Sequence, residues 1–152
     1  MLAEELKTSL QAILPSITFE EGGEWITAII EPQQWLEFAT RIGKQDELFF
    51  DYLFCLTCVD WKTHLGMVYH LSSTRHRHNI VIKSKLNRDN AEIESVANIW
   101  RTAEFHEREA AELFGVNFLN HPDLRLLILP DGWEGKNPMR KDFEDPINMI
   151  RL

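Results

Sequence analysis

Three strand-like segments joined by short turns constrain the fold most. Residues 49–60, 67–73 and 79–86 are rich in aromatic and β-branched side chains, which favour extended backbone. The links between them, residues 64–66 and 75–78, have the composition of turns. Strands this close along a chain usually pair with their neighbours. The middle of the chain is therefore expected to form an antiparallel meander.

Helices and a further strand pair are expected before this meander. Apolar residues spaced three to four apart predict a helix over residues 2–14. Residues 17–19 and 25–30 lie on either side of a double glycine and are predicted to pair antiparallel. Pro32 is expected to open a second helix, with Gly43 as its stop.

Two more helical pieces are predicted after the meander. Apolar residues from Ile93 to Trp100 recur at helical spacing, and a second piece covers residues 103–114 with Gly115 as its cap. Strands segregated from helices indicate an α+β fold, with an antiparallel or mixed sheet packed against helices on one face. This domain is expected to cover residues 1–115.

The segment after residue 115 has a different character. Residues 116–152 contain four prolines and one short apolar run. The aromatic side chains of Phe118, Trp133 and Phe143 make the segment too apolar for a solvated linker. An extended C-terminal arm is therefore expected, docked either on this domain or on another protein of a complex.

Composition excludes several classes of function. The net charge of −8 and the lack of a basic stripe argue against nucleic-acid binding. No apolar run approaches the roughly 20 residues that cross a bilayer. Two cysteines do not suggest a disulfide-built secreted scaffold. The chain is expected to be soluble and to meet a membrane only through a partner.

The chain contains one pair of cysteines in the C-x-x-C pattern. Cys55 and Cys58 lie within a predicted strand, where residues three apart face opposite sides of the sheet. This geometry opposes a redox pair, and it opposes a zinc site shared with His76 and His78. The favoured interpretation is that the cysteines are small core residues and that the histidines lie near a turn.

A second candidate motif is His106-Glu107, which begins like the zinc-protease pattern H-E-x-x-H. Ala110 occupies the second ligand position, so the metalloprotease interpretation is discarded. No phosphate loop, dinucleotide loop or nucleophile elbow is present, and iron–sulfur ligation ordinarily needs four cysteines. Arg108 stands four residues from both Glu104 and Glu112, so an ionic strip is favoured over paired catalytic carboxylates.

Residues 107–118, 121–125, 129–135 and 138–143 closely resemble the signature of the 30 kDa subunit of respiratory complex I, also called its C subunit. Three departures are Glu112 where the family commonly has Asp, Leu126 where a second Arg is frequent, and one extra residue at Lys136-Asn137. The residues that carry the resemblance, called the signature residues below, are Glu107, Arg108, Glu109, Glu112, Phe114, Gly115, His121, Pro122, Asp123, Arg125, Trp133, Gly135, Pro138, Arg140, Lys141, Asp142 and Phe143.

The resemblance implies a non-catalytic subunit in the peripheral arm of NADH:quinone oxidoreductase, at the cytoplasmic face of the inner membrane. FMN, iron–sulfur clusters, NADH and quinone then belong to the complex, and this chain has no catalytic, cofactor-binding or metal residues of its own. The equivalent subunit of a membrane-bound hydrogenase or of a complex with another electron donor is the main alternative. A free-standing thiol-redox or zinc protein is a third.

The resemblance also implies partners for the arm. We expect residues 116–143 to extend over the quinone-site subunit, called the D subunit, to which some family members are fused, with other peripheral-arm subunits nearby. Arg125, Arg140 and Lys141 would pair with acidic groups there, and Trp133 would serve as an apolar anchor. Truncation after Gly115 is then expected to leave the domain folded but to abolish co-purification with the quinone-site subunit.

Overall fold

A computed structural model describes residues 2–149 of the chain. Three helices and seven strands follow one another in the order α1 (Ala3–Ile13), β1 (Thr18–Glu20), β2 (Ile26–Ile29), α2 (Trp35–Lys44), β3 (Tyr52–Asp60), β4 (His64–Ser72), β5 (Asn79–Asn87), β6 (Glu92–Glu94), α3 (Ala103–Phe114) and β7 (Asn117–Leu119). The α+β fold predicted from the sequence is confirmed.

Five strands form one mixed sheet in the order β1-β2-β5-β4-β3. The pair β2-β5 is parallel, whereas β1-β2, β5-β4 and β4-β3 are antiparallel, as the meander predicts. Buried and half-buried residues alternate along all nine positions of strand β4. Side chains on a strand alternate between faces, so a single face of the sheet is closed off from water.

Aromatic residues fill the space between the sheet and the helices. Trp35 of α2 and Tyr69 of β4 are fully buried, with ring centroids 4.4 Å apart. Trp100 stacks on Trp35 with ring centroids 6.2 Å apart and donates from its indole Nε1 to the Phe50 carbonyl. Each such side chain stabilises the fold by about 1.5–3 kcal/mol through burial.

The predicted helix over residues 93–100 is wrong. Ile93 lies in strand β6 and pairs with Phe118 of β7 in a parallel two-stranded sheet, with α3 as the crossover between them. Residues 96–100 make only a single turn, in which the amide of Trp100 donates to the Val96 carbonyl. Ile93, Val96 and Trp100 are buried, so the apolar spacing identified core side chains but not the backbone that carries them.

Two predicted boundaries also differ. Residues 64–66 belong to β4 rather than to a turn, because Asp60 accepts a hydrogen bond from the amide of Lys62 and closes the hairpin earlier. A three-residue 3-10 turn beginning at Pro32 precedes α2, and Gly43 lies inside α2 rather than ending it. A side-chain carbon at position 43 would lie 3.4 Å from Ile99, an ordinary van der Waals distance, so packing there does not require glycine.

The core continues past residue 115. Val116 and Phe118 are both 2% exposed and pack in the same cluster as the sheet and helices. The division at residue 115 remains a prediction. Residues 2–119 are hereafter called the body and residues 120–149 the tail. Residues 150–152 of the predicted arm lie outside the described range. No helix within residues 2–149 is long and apolar enough to cross a membrane.

Candidate subunit interface

Helix α3 carries the first signature residues. Its sequence is dominated by Glu and Ala, which are strong helix formers. Gly115 ends it in the left-handed conformation at φ 74° and donates its amide to the Ala111 carbonyl, as predicted for its cap. The side chain of Asn137 lies within 3 Å of where a Cβ on Gly115 would be. The helix end and the tail therefore meet at a glycine.

Glu107 is a buried carboxylate on the inner side of α3. Its two oxygens accept hydrogen bonds from the Ser95 hydroxyl at 2.6 Å and from the Val96 amide at 2.8 Å. Burial raises the pKa of Glu107 to about 7, although these two hydrogen bonds act in the opposite direction. Glu107 thus holds the end of β6 against α3, and it is a structural group inside the body.

His121 lies at the start of the tail with its ring almost fully buried. Its Nδ1 accepts from the amide of Asp123 at 3.0 Å, and its Nε2 lies 3.1 Å from the carbonyl of Glu104. A carbonyl only accepts, so Nε2 is the donor in this contact. The same nitrogen lies 3.6 Å from the Glu107 carboxylate. His121 therefore fastens the first tail residues to α3.

Arg108 does not bridge carboxylates along α3, so the predicted ionic strip is wrong. Its Nε donates to the Arg125 carbonyl at 3.0 Å, and one terminal nitrogen donates to the Leu126 carbonyl at 2.7 Å. Arg108 is 8% exposed. A guanidinium has five donors in a fixed fork, and here two of them bind consecutive backbone carbonyls of the tail.

Glu112, one helical turn further along, binds the next stretch of backbone. Its carboxylate accepts from the amides of Leu127, Ile128 and Leu129 at 2.9, 2.8 and 3.3 Å. Hydrogen bonds to a charged acceptor are stronger than neutral ones. Arg108 and Glu112 are called the α3 clamp below, because together they hold five consecutive tail residues.

A second attachment holds the distal part of the tail. The buried carboxylate of Asp60 accepts hydrogen bonds from the backbone amides of Lys62 and Lys141, both at 2.8 Å, and from the guanidinium of Arg88. Arg88 also binds Asp142 at 2.7 Å. Burial alone would raise the pKa of Asp60, but these donors lower it to about 2. Asp60 therefore ties the tail to the β3-β4 hairpin.

Other tail residues also bond within the chain. The Nε of Arg140 donates to the Phe114 carbonyl at 2.7 Å. The Trp133 ring packs on Phe143 with centroids 6.3 Å apart. Arg125 binds Asp123 at 2.8 Å. These partners belong to the chain itself, whereas the sequence predicted partners on another protein of the complex for Arg125, Arg140 and Trp133.

The signature residues do not converge on one point. Several of them fall into three groups: the inner side of α3, the α3 clamp with the backbone of residues 125–129, and the Asp60 attachment. Glu109 and Phe114 are half-buried on α3, Pro122 and Gly135 are exposed along the tail, and Pro138 is half-buried. Sequence reasoning missed Asp60, Arg88 and Ser95, which contact signature residues although none of them lies in the signature.

The outer surface of the tail is unusually apolar. Among residues 2–149, twelve large apolar side chains are exposed, and half of them belong to the tail: Leu124, Leu127, Ile128, Met139, Ile147 and Met149. A cleft of about 890 Å³ opens between α3 and the tail, lined by the α3 clamp and by residues such as Leu124, Asp131 and Asn137. Exposed apolar groups concentrated on one segment are typical of a protein–protein contact.

The cysteines and histidines singled out in the sequence lie on the body. Cys55 and Cys58 are free thiols on β3, and burial raises the pKa of Cys58 to about 12, with a further contribution from Asp60. His76 and His78 stack at 5.6 Å and bind the carbonyls of Asp46 and Leu48. Within the described part of the chain, no three His, Cys, Asp or Glu side chains are grouped to hold a metal ion.

The fold and this surface together define a class, a small α+β domain followed by a C-terminal segment that exposes apolar side chains. Comparison with known families identifies which member of that class is at hand. Residues 28–146 match the family described as the respiratory-chain NADH dehydrogenase, 30 kDa subunit. The chain belongs to this family.

Individual relatives agree with this assignment. The chain is 40% identical over 119 residues to the C subunit of NADH-quinone oxidoreductase from Chlorobium phaeobacteroides, covering 76% of this chain and 71% of the relative. It is 43% identical over 149 residues to the C subunit of F420H2 dehydrogenase from Methanosarcina mazei, covering 95% and 93%. It is 45% identical over 104 residues to the C/D subunit of NADH-quinone oxidoreductase from Phocaeicola vulgatus, of which it spans 20%.

Solved structures share the fold. A chain in the archaeal membrane-bound sulfane sulfur reductase complex superposes with a TM-score of 0.80 at 24% identity, covering 93% of this chain and 85% of that one. The trypsin-resistant fragment of Nqo5 superposes with a TM-score of 0.67 at 21% identity, covering 80% and 98%. At these identities the likeness concerns the fold.

Proposed function

We propose that this chain is a structural subunit of the peripheral arm of an energy-converting NADH:quinone oxidoreductase, at the cytoplasmic face of the inner membrane. It supports electron transfer from NADH to quinone, coupled to ion translocation, and carries no cofactor or catalytic residue of its own. Its tail docks on the quinone-site subunit of the same complex. FMN and the iron–sulfur clusters reside in other subunits.

The tail supports this proposal most directly. Its backbone is fixed to the body by Glu112, Arg108 and Asp60, yet Ile128 remains 63% exposed, Met139 56% and Ile147 90%. An ordered segment that leaves apolar side chains in water is stabilised when another protein covers them. The relative from Phocaeicola vulgatus combines the C and D subunits in one protein, which favours the quinone-site subunit as the covering partner.

A second candidate is the equivalent subunit of a complex that oxidises F420H2. The match to the F420H2 dehydrogenase relative covers 95% of this chain at 43% identity, more of the chain than the NADH-linked relatives above. The identities to the NADH-linked and F420H2-linked relatives, 40% and 43%, are nearly equal, so sequence similarity does not discriminate between the two donors.

Affinity purification separates the two candidates. The tagged full-length chain is expressed in its own organism and recovered from detergent-solubilised membranes, and its partners are identified by mass spectrometry. NADH and F420H2 oxidation are measured on the same eluate. Recovery of the quinone-site subunit together with an NADH-oxidising module supports the first candidate, and an F420H2-oxidising subunit supports the second. Recovery of the chain without any oxidoreductase subunit would overturn both.

A further inference from the structure

Residues 124–129 form a surface strip with neither helix nor strand conformation. Leu124 is 39% exposed, Leu127 40% and Ile128 63%. An irregular segment lacks the repeating backbone hydrogen bonds that order helices and sheets, so it is ordinarily mobile. Here the α3 clamp supplies those bonds instead.

The clamp acts on every residue from 125 to 129. Arg108 binds two consecutive carbonyls and Glu112 binds the next three amides. The two side chains are four residues apart on α3, hence neighbours on one face of the helix. Their opposite charges match the opposite polarity of the groups they hold. The strip is therefore fixed from beneath, while its apolar side chains remain in water.

We propose that Arg108 and Glu112 are positioning residues, which hold the strip in the conformation that inserts Leu127 and Ile128 into an apolar groove on the quinone-site subunit. This inference rests on the proposed function. A segment already in its bound conformation loses little conformational entropy on association. The clamp residues themselves are buried and need not touch the partner.

The charges around the strip indicate what kind of groove it fits. Arg125 has an exposed side chain, but Asp123 binds it at 2.8 Å, so the strip and its flank carry no net charge. A strongly charged groove would leave this pair unmatched, whereas an apolar groove needs only the two aliphatic side chains. The pair then belongs to the polar rim that surrounds such contacts.

The test measures binding of the full-length chain to the quinone-site subunit of the same organism, which is immobilised for biolayer interferometry. Ile128→Ser removes an exposed aliphatic side chain and leaves the fold intact. Glu112→Gln removes the charge and replaces one of the two acceptor oxygens that face the three amides with an NH2 donor. Glu112→Asp keeps the charge but shortens the side chain. Glu104→Gln is the matched control, since the Glu104 side chain makes no hydrogen bond among the described residues.

Ile128→Ser and Glu112→Gln are each expected to weaken binding at least tenfold. Glu112→Asp should weaken it less, and Glu104→Gln should leave it unchanged. Hydrogen exchange on the free chain provides a second readout. In Glu112→Gln, the amides of residues 127–129 should exchange faster, while those of β4 and β5 keep their protection.

The outcomes separate this inference from the proposed function. If the native chain does not bind the quinone-site subunit, the proposed function fails. If the native chain binds and Ile128→Ser binds equally well, the strip is not the docking element. If Ile128→Ser weakens binding but Glu112→Gln does not, the strip docks without help from the clamp, and the positioning role is wrong.

Discussion

The body and the tail of this chain are held by different forces. The body buries a continuous apolar cluster that runs from Leu6 to Phe118. The tail contributes no residue to that cluster and is fixed by hydrogen bonds from a few charged side chains, chiefly Arg108, Glu112 and Asp60. Apolar burial stabilises the body, whereas polar contacts order the tail.

This difference shows how a small domain can present apolar groups without collapsing onto them. If the tail were held by apolar contacts, its own leucines and isoleucines would turn inward. Charged residues beneath its backbone leave those side chains free for a partner. Substitutions on the two sides of residue 119 test whether this boundary is real.

Phe118→Ala and Ile128→Ala compare large apolar side chains on the two sides of the boundary. Phe118 is 2% exposed and Ile128 63%. The first change should lower the free energy of unfolding by about 3–5 kcal/mol, because it leaves a cavity in the core. The second should change it by less than about 0.5 kcal/mol. Urea unfolding of both variants measures this, and similar losses would remove the distinction between body and tail.

Glu107→Gln tests the buried carboxylate of the body. The pKa of Glu107 rises on folding from 4.5 to about 7, so between these pH values the folded chain retains a proton that the unfolded chain releases. Stability of the native chain should therefore fall as pH rises through this window and level off above it.

The Gln variant lacks this titration. Its stability relative to the native chain should rise by roughly 2–3 kcal/mol between pH 5 and pH 8. Urea unfolding across that range gives the difference. Burial lowers the pKa of His70 and His78 in both proteins, so their contribution cancels. Parallel stability curves for the two proteins would contradict the assigned pKa.

Asp60→Asn tests the attachment between body and tail. The change removes the charge that Arg88 and the amide of Lys141 bind, and should cost about 1–3 kcal/mol. Hydrogen exchange at Lys141 should accelerate more than exchange within β4. Asp89→Asn, an exposed neighbour of Arg88, is the control and should change neither. An unaltered rate at Lys141 in the Asp60 variant would show that the tail is held elsewhere.

Thiol labelling tests whether the two cysteines on β3 are shielded from solvent in the folded body. Burial raises the pKa of Cys58 to about 12 and Cys55 is half-buried. Ellman's reagent should therefore label Cys55 in the folded chain and Cys58 only after unfolding. Equal labelling of both thiols would mean that β3 is open to solvent, and it would restore interest in a redox role.

Elements set by neighbouring residues could be predicted from the sequence. Helix α3 and its left-handed Gly115 follow from helix-forming composition and one glycine, and the three meander strands follow from local β-propensity. The helix predicted over residues 93–100 was wrong because it also relied only on neighbouring residues. Its apolar spacing suits a helix, but pairing of Ile93 with Phe118, 25 positions away in the chain, decides the backbone.

The polar contacts of the site could not be predicted in this way. Arg108 looked like a partner for carboxylates one turn away, because charge pairs at that spacing are the local expectation. Its observed partners are carbonyls 17 and 18 residues further along. Similarly, Asp60 gave no signal as a tail attachment, since Lys141 is 81 residues away. The sequence singled out Arg108 and Lys141 but not the groups that they bind.

Strand β7 has a consequence for the order of events during synthesis. A parallel partner such as β6 cannot be reached by a tight turn, so β7 forms only after α3 has been made. Phe118 fills the core, which means that 118 of the 152 residues must leave the ribosome before the core is complete. Until then the nascent chain exposes the apolar side of its sheet. Chaperone binding is therefore expected to be strongest during this interval.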